Sequence, residues 1–210
     1  MGRFVLKDDI RRHGSGNIGA TNVGRVLGWK WGAMVLVLDA LKGLVPTLGA
    51  AHAASGMVPD GWVNHAAVAA GMSSVAGHMY PVYLRLRGGK GVATALGVVI
   101  VLAPIATGVA LMMFLAVLVS FRRVAPASML ASVTFSATWL LMAGAKAWTM
   151  PLYSLTAFAV VVPLLIIWRH RSNIERLLAG KEPAVTETLT NNDGLNESPA
   201  SNRSSGSHDA

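Results

Sequence analysis

Five long apolar stretches occupy most of this chain and constrain its fold more than any other feature. They lie near residues 30–56, 63–84, 92–121, 124–144 and 150–168. A helix of about 20 residues crosses the ~30 Å hydrocarbon core of a bilayer, and most of these stretches have that length. Only 13% of the 210 residues are charged, whereas a soluble domain carries about a quarter. The sequence therefore predicts an all-α fold, a polytopic transmembrane helix bundle.

The stretch at 92–121 is too long for a single crossing. As one helix it would be roughly 45 Å long, and Pro104 interrupts it. It is either one kinked helix or two short helices that turn back at Ala103-Pro104. With two helices the chain crosses six times. Leaving out Lys42, which lies inside a stretch, 16 Lys and Arg residues then share one side with both termini, against Lys146 on the other. A single kinked helix divides the same residues 10 to 7.

The distribution of basic residues decides between these topologies. Lys and Arg are enriched in the cytoplasmic loops of membrane proteins, so the 16-to-1 division predicts six crossings with both ends in the cytoplasm. The formal net charge of +8 is gathered at the ends of the apolar stretches, whereas a nucleic-acid-binding domain carries a basic stripe along one face. We therefore expect contact with membrane lipid and no nucleic-acid partner.

Polar segments flank the apolar region and complete the predicted organisation. Residues 1–29 form a cytoplasmic segment, 30–168 the transmembrane domain, and 169–182 a second cytoplasmic segment. The tail at 183–210 is rich in Ser, Asn and Gly, a composition that predicts disorder. The chain contains no cysteine, which excludes thiolate metal ligands and cysteine nucleophiles.

Under this topology, three segments that combine small or flexible residues with hydrogen-bond donors meet at the cytoplasmic surface. The first segment is 13–25, the second is 77–94 and the third is 169–182. The first contains Gly14-Ser-Gly-Asn-Ile-Gly19, which fits the dinucleotide-binding pattern G-x-G-x-x-G. That pattern needs a preceding strand and a βαβ unit, and here a charged stretch precedes it and an apolar helix follows. We therefore expect no nucleotide, although glycines let backbone N–H groups close around a phosphate.

The second and third segments also offer anion-binding groups. Gly88-Gly-Lys-Gly91 lacks the spacing and the Ser or Thr of a Walker A loop. The N-terminus of the following helix and Lys90 still suit a phosphate, and the alternative is a tight turn with an interfacial lysine. In the third segment His170 and Asn173 share one helical face, where the alternative is a basic membrane anchor.

Two opposite charges lie inside the first apolar stretch. Asp39 and Lys42 are three residues apart and so share a helix face. Charges within a membrane are costly and are usually paired or functional. Because each residue supplies a partner for the other, we favour a structural ion pair.

Together the three segments resemble the motifs of one family, the bacterial acyl-phosphate:glycerol-3-phosphate acyltransferases of the Y type. Those motifs read GSGNIGATN…R, GHxFPVFLxFKGGKGVAT and HxxNIxRLxxGxE, and all three occur in order between residues 8 and 182. The second differs conservatively, with Tyr80 and Tyr83 at aromatic positions. Members of this family have a further transmembrane helix ahead of the first motif, so we expect seven crossings in the family and six in this chain.

The resemblance implies an enzyme that moves an acyl chain from acyl phosphate to the 1-hydroxyl of glycerol 3-phosphate. The products are lysophosphatidic acid, for phospholipid synthesis, and phosphate. These two substrates are the implied partners, with no cofactor and no metal. The implied location is the bacterial inner membrane, with the active-site loops facing the cytoplasm. The H-x-x-x-x-D motif, in which other glycerol-phosphate acyltransferases use His as a general base, does not occur in the sequence.

The resemblance also assigns roles to individual residues. The predicted catalytic residues are Ser15, Arg25, Lys90, His170 and Asn173. The residues predicted to bind substrate and phosphate are Gly14, Gly16, Asn17, Asn22, Gly88, Gly89 and Gly91. Structural support is expected from Glu182 and from the pair Asp39 and Lys42.

The route of the proton and the role of Ser15 follow from side-chain chemistry. His170 is the best side-chain base, because the ordinary pKa of histidine, about 6.5, lies close to working pH. The donor's own phosphate is the competing proton acceptor. Ser15 has no His or acidic residue at a recognisable spacing to activate it. We therefore favour direct transfer over an acyl-enzyme.

Two rival functions make different predictions. A small transporter of a phosphorylated or organic anion places its binding charges near the bilayer midplane, between related inverted halves. Here those charges collect at one face, and the sequence has no visible repeat. A scaffold without activity gives no reason for three anion-binding segments to converge. The predicted function is therefore that of the acyltransferase.

Overall fold

The computed structural model describes residues 8–185, and the regular secondary structure of this part of the chain is helical. Its α-helices are α1 (Ala20–Leu27), α2 (Trp29–Ala54), α3 (Asp60–Met79), α4 (Val92–Leu102), α5 (Pro104–Phe121), α6 (Val124–Ala143), α7 (Tyr153–Arg169) and α8 (Arg171–Leu178). Short 3-10 helices add Ile10–Arg12, Val82–Leu84 and Gly144–Lys146. The predicted all-α fold is confirmed.

Among residues 8–185, three helical segments are long and apolar enough to cross a membrane. They are Trp29–Ala54, Pro104–Phe121 and Val124–Lys146. A fourth candidate is the pair α7 and α8, which is bent by 54°, while α4 is apolar but has only 11 residues. These apolar helices confirm a polytopic membrane bundle. The number of six crossings stays a prediction.

The long third stretch is broken at the residue that the sequence indicates. Pro104 opens α5, because a proline has no N–H to donate and fits the first turn of a helix. The N–H of Ala103 donates to the carbonyl of Val99 at 2.9 Å, and the hydroxyl of Thr107 donates to the same carbonyl at 2.9 Å. The two helices then pack on different partners, α4 on α2 and α5 on α6. The stretch is therefore two separate helices.

Glycines let α2 approach α4 closely. A Cβ atom on Gly43 would meet the carbonyl oxygen of Thr94, and one on Gly97 would meet the carbonyl oxygen of Ala40. Small residues at such contacts are typical of membrane bundles, in which close backbone approach supplies the packing. This contact fixes the N-terminus of α4, where the second segment ends.

The polar segments fold against the ends of these helices. Arg11 donates to the carbonyl of Leu84 at 3.3 Å, which joins the start of the chain to the second segment. At the start of the predicted tail, the carbonyl of Pro183 accepts a hydrogen bond from Arg25 and the N–H of Val185 donates to the carbonyl of Arg122. Residues 186–210 lie outside the described part of the chain.

Candidate active site

One cavity of about 430 Å³ is lined by residues of all three segments. Its charged and amide side chains come mostly from these segments, and its apolar lining comes mainly from α4, α5, α6 and α7. Ser15 lines the cavity together with the charged, imidazole and amide side chains, which are Asn17, Asn22, Arg25, Asp39, His78, Lys90, His170, Asn173 and Glu182. The apolar residues include Leu96, Val99, Leu111, Phe114, Leu115, Phe135, Phe158 and Val162. A charged pocket and an apolar groove are therefore two parts of the same cavity.

The first segment is folded around the side chain of Asn22. Its Oδ1 accepts the N–H of Ser15 at 2.7 Å, and its Nδ2 donates to the carbonyl of Asn17 at 2.7 Å. Gly14 and Gly16 have φ of 59° and 69°, which glycine adopts without strain. Because both ends of the Asn22 amide are engaged, this residue shapes the loop that presents Ser15 to the cavity.

The second segment uses Gly88 and Gly89 for packing. The N–H groups of Gly88 and Gly89 donate to the carbonyls of Met79 and His78, at 3.2 and 3.1 Å. Arg169 donates to the Gly88 carbonyl at 2.8 Å and to the Gly89 carbonyl at 3.0 Å. A Cβ atom on Gly89 would meet the ring of His78. These two glycines lie outside the cavity lining, and their backbone donors are already occupied.

The backbone donors that remain for an anion lie one step later in the chain. The first hydrogen bond at the start of α4 runs from the Ala95 N–H to the Gly91 carbonyl at 2.8 Å. By helix geometry, the N–H groups of the first turn have no acceptor within the helix. Gly91, Val92 and Ala93 all line the cavity. Of the three glycines predicted to bind phosphate, Gly91 therefore lies in a turn whose backbone donors face the cavity, whereas the donors of Gly88 and Gly89 are used in packing.

A hydrogen-bonded chain joins the second segment to the third. The Lys90 ammonium donates to Asn173 Oδ1, and Asn173 Nδ2 donates to Glu182 Oε1 at 2.6 Å. Arg176 Nε donates to the other Glu182 oxygen at 2.8 Å. Glu182 is only 5% exposed, so its carboxylate is a buried charge that these partners satisfy. It fixes the amide of Asn173, which in turn fixes Lys90.

The site around Lys90 is rich in positive charge. Burial lowers the pKa of Lys90 to about 8, and Glu182 opposes this effect, while Arg176, Arg25 and Arg169 add to it. Arg25 is itself 8% exposed and donates to the carbonyl of Pro183 at 3.1 Å. Cations that lie close together repel one another, and a bound anion relieves this repulsion. The pocket is therefore suited to a phosphate.

His170 lies at the bend between α7 and α8 and lines the same cavity. Its Nδ1 lies 2.8 Å from the carbonyl oxygen of Ile166. Because a carbonyl can only accept, Nδ1 carries the proton and Nε2 is the unprotonated nitrogen of the neutral ring. Burial, followed by the charge of Lys90, lowers the pKa of His170 to about 4. The ring is neutral at pH 7.

The predicted ion pair within α2 is present and has a third member. Lys42 Nζ lies 2.8 Å from Asp39 Oδ1, and His78 Nδ1 lies 3.6 Å from the same oxygen. Asp39 and His78 line the cavity, whereas Lys42 does not. Sequence reasoning assigned no role to His78 or to Arg169, although both stand inside the three segments. Their partners lie far away in the chain, so spacing gives no signal for them.

The fold and the cavity define a class of protein. A helical membrane protein in which a buried cationic pocket opens into an apolar groove suits the chemistry of phosphorylated lipids. A family model described as glycerol-3-phosphate acyltransferase matches residues 1–180. This chain belongs to the glycerol-3-phosphate acyltransferase family.

Individual relatives agree with this family. A glycerol-3-phosphate acyltransferase of Myxococcus xanthus is 45% identical over 175 residues, which cover 83% of this chain and 84% of that protein. The protein of the same name from Aquifex aeolicus is 42% identical over 174 residues, again 83% and 84% of the two chains. A crystal structure of PlsY, an integral membrane glycerol 3-phosphate acyltransferase in its glycerol 3-phosphate form, is similar with a TM-score of 0.73. It is 40% identical, and the match covers 87% of this chain and 86% of that one.

Proposed function

We propose that this enzyme transfers an acyl chain from an acyl phosphate to the 1-hydroxyl of glycerol 3-phosphate, releasing lysophosphatidic acid and phosphate. Acyl transfer to glycerol 3-phosphate is the activity of the family. What we propose here is the identity of the acyl donor and the residues that act in each step. One observation carries the proposal: a single cavity joins the cations around Lys90 to an apolar groove. Such a cavity suits two phosphates and one acyl chain.

The solved relatives support this assignment. One structure of PlsY is a glycerol 3-phosphate form and another is a lysophosphatidic acid form. The second has a TM-score of 0.68 and covers 81% of this chain. These molecules are an acceptor and a product of the proposed reaction.

Phosphate binding falls to Lys90, Arg25 and the first turn of α4. Lys90 and Arg25 bring positive charge, and the helix N-terminus brings oriented N–H groups. Asn173 and Glu182 hold the Lys90 ammonium through the hydrogen-bonded chain. The apolar side chains of α5, α6 and α7 offer a place for the acyl chain.

Transfer is proposed to be direct. The acceptor hydroxyl oxygen attacks the carbonyl carbon of the acyl phosphate, a new ester C–O bond forms, and the anhydride C–O bond breaks with its electron pair leaving on phosphate. Because phosphate is a good leaving group, positioning and charge stabilisation suffice. The Ser15 hydroxyl donates a hydrogen bond to the carbonyl oxygen as it gains charge.

The proton of the attacking hydroxyl is proposed to move to the departing phosphate. His170 is neutral, and its Nε2 is free to accept a hydrogen bond from a substrate hydroxyl. A base with a pKa of about 4 is too weak to draw a proton efficiently from an alcohol at pH 7. His170 therefore orients the acceptor.

The proposed orientation places the site on the cytoplasmic side of the bacterial inner membrane. Under six crossings, basic residues divide 16 to 1 between the two sides, and Lys and Arg are enriched on the cytoplasmic side of membrane proteins.

A comparison of donors tests the proposal. Purified protein is mixed with glycerol 3-phosphate and palmitoyl phosphate, palmitoyl-CoA or palmitoyl-acyl carrier protein, and lysophosphatidic acid is measured. We expect product with palmitoyl phosphate alone, and Lys90→Met as a matched variant should abolish it. Equal or better use of a thioester donor would contradict the proposal.

A further inference from the structure

A short strap, residues 181–185, follows α8 and reaches the polar end of the cavity through Glu182. Its first part carries Glu182, whose side chain lines the cavity and binds Asn173 and Arg176. The strap lies beyond residue 180, at which the family match ends. Its first two residues end the third segment, and its backbone makes further contacts with parts of the chain outside the three segments.

Three arginines that are distant from the strap in sequence form hydrogen bonds with its backbone, two through their side chains and one through its own carbonyl. Arg123 Nε donates to the carbonyl of Glu182 at 2.9 Å. The carbonyl of Arg122 accepts the N–H of Val185 at 2.8 Å. Arg25 donates to the carbonyl of Pro183 at 3.1 Å. The strap thus connects α1, the turn between α5 and α6, and the end of α8.

The contact with Arg25 joins the strap to a side chain that lines the cavity. Arg25 is buried and lines the cavity, and a long side chain in that position has several rotamers to choose from. The carbonyl of Pro183 accepts a hydrogen bond from the Arg25 guanidinium and so favours the rotamer that is seen. On its other side, the strap supplies Glu182 to the chain of hydrogen bonds that ends at Lys90. The strap is therefore hydrogen-bonded to Arg25 directly and to Lys90 through Asn173.

We propose that Arg123 is a positioning residue for acyl transfer, which acts by holding the strap so that Arg25 and Lys90 face the substrate phosphates. The proposal rests on the roles given to those two cations under the proposed function. Arg123 itself does not line the cavity. It lies outside the three segments, so no motif points to it.

The neighbouring residue provides a matched control. Arg122 is exposed and contacts the strap only through its backbone carbonyl, whereas Arg123 is half-buried and uses its guanidinium. A substitution at either position removes one positive charge from the same turn. Only the substitution at Arg123 removes a side-chain bond to the strap.

The experiment compares Arg123→Gln, Arg123→Lys and Arg122→Gln as full chains. Transfer to glycerol 3-phosphate is measured with whichever acyl donor is used best, so failure of the acyl-phosphate assignment does not affect the comparison. We expect Arg123→Gln to lower kcat about tenfold, the effect of losing one charged hydrogen bond, with a smaller change in KM. Arg123→Lys should restore part of the loss, and Arg122→Gln should match the parent.

A double-mutant cycle separates positioning from general destabilisation. Because Arg123 acts partly through Arg25, Arg123→Gln should cost clearly less activity in an Arg25→Ala background than in the parent, since coupled residues are not additive. Thermal unfolding of each variant shows whether it is folded. Full additivity of the two losses, or equal losses for Arg123→Gln and Arg122→Gln, would overturn the proposal.

Discussion

The buried ammonium of Lys90 makes a prediction about pH. Burial lowers its pKa to about 8, and the proposed role needs the charged form to bind phosphate. As pH rises through about 8, the free enzyme loses this charge. We therefore expect kcat/KM, which reports groups of the free enzyme, to fall on the alkaline side.

The size of the effect follows from the same value. With a pKa of about 8, the charged fraction of Lys90 is about ten in eleven at pH 7 and about one in eleven at pH 9. The expected fall in kcat/KM between these pH values is therefore about tenfold. Lys90→Arg should abolish this alkaline limb of the pH profile, because a guanidinium keeps its charge throughout the range.

The assay is initial-rate release of lysophosphatidic acid at low substrate concentration across pH 6 to 10. Lys146→Arg is the matched control, since Lys146 lies in the exposed turn after α6, and it should keep the limb of the parent. A flat parent profile up to pH 10, or an unchanged limb in Lys90→Arg, would refute the reasoning.

Three further predictions concern single substitutions. Gly89→Ala should lower the melting temperature as well as the activity, because the new methyl group meets the ring of His78; an intact melting temperature with only a raised KM would restore the phosphate-cradle interpretation. His170→Ala should reduce kcat less than about tenfold, whereas a loss of about 10²–10⁴-fold would identify a general base. Single cysteines in this cysteine-free chain test topology: in intact cells and inverted vesicles, Arg122→Cys should react only from the cytoplasmic side and Lys146→Cys only from the other.

Much of the fold could be predicted because membrane helices carry a strong local signal. Apolar length and Pro104 located the helices and the break between α4 and α5, and three-residue spacing located the pair of Asp39 and Lys42. The candidate site was also located, because its three segments carry glycines and anion-binding side chains in continuous runs.

The pairing of residues within the site could not be predicted in the same way. Gly88 and Gly89 look like a phosphate loop in sequence, yet their donors bond to the end of α3, which depends on how two helices meet. His78 joins Asp39, and Arg123 joins Glu182, across 39 and 59 positions. Such contacts arise from tertiary packing, for which spacing in a single sequence gives no period.

The central claim, direct transfer from acyl phosphate, is tested most directly by leaving out the acceptor. Purified protein at high concentration is mixed rapidly with palmitoyl phosphate alone, released phosphate is followed, and the protein is then analysed by intact-mass spectrometry. Direct transfer predicts that Ser15 is never acylated and that no phosphate burst occurs with palmitoyl phosphate alone. After glycerol 3-phosphate is added, phosphate and lysophosphatidic acid should appear in equal amounts. A burst of phosphate equal to the enzyme concentration, with an acyl group on Ser15 that moves to added glycerol 3-phosphate, would contradict the account.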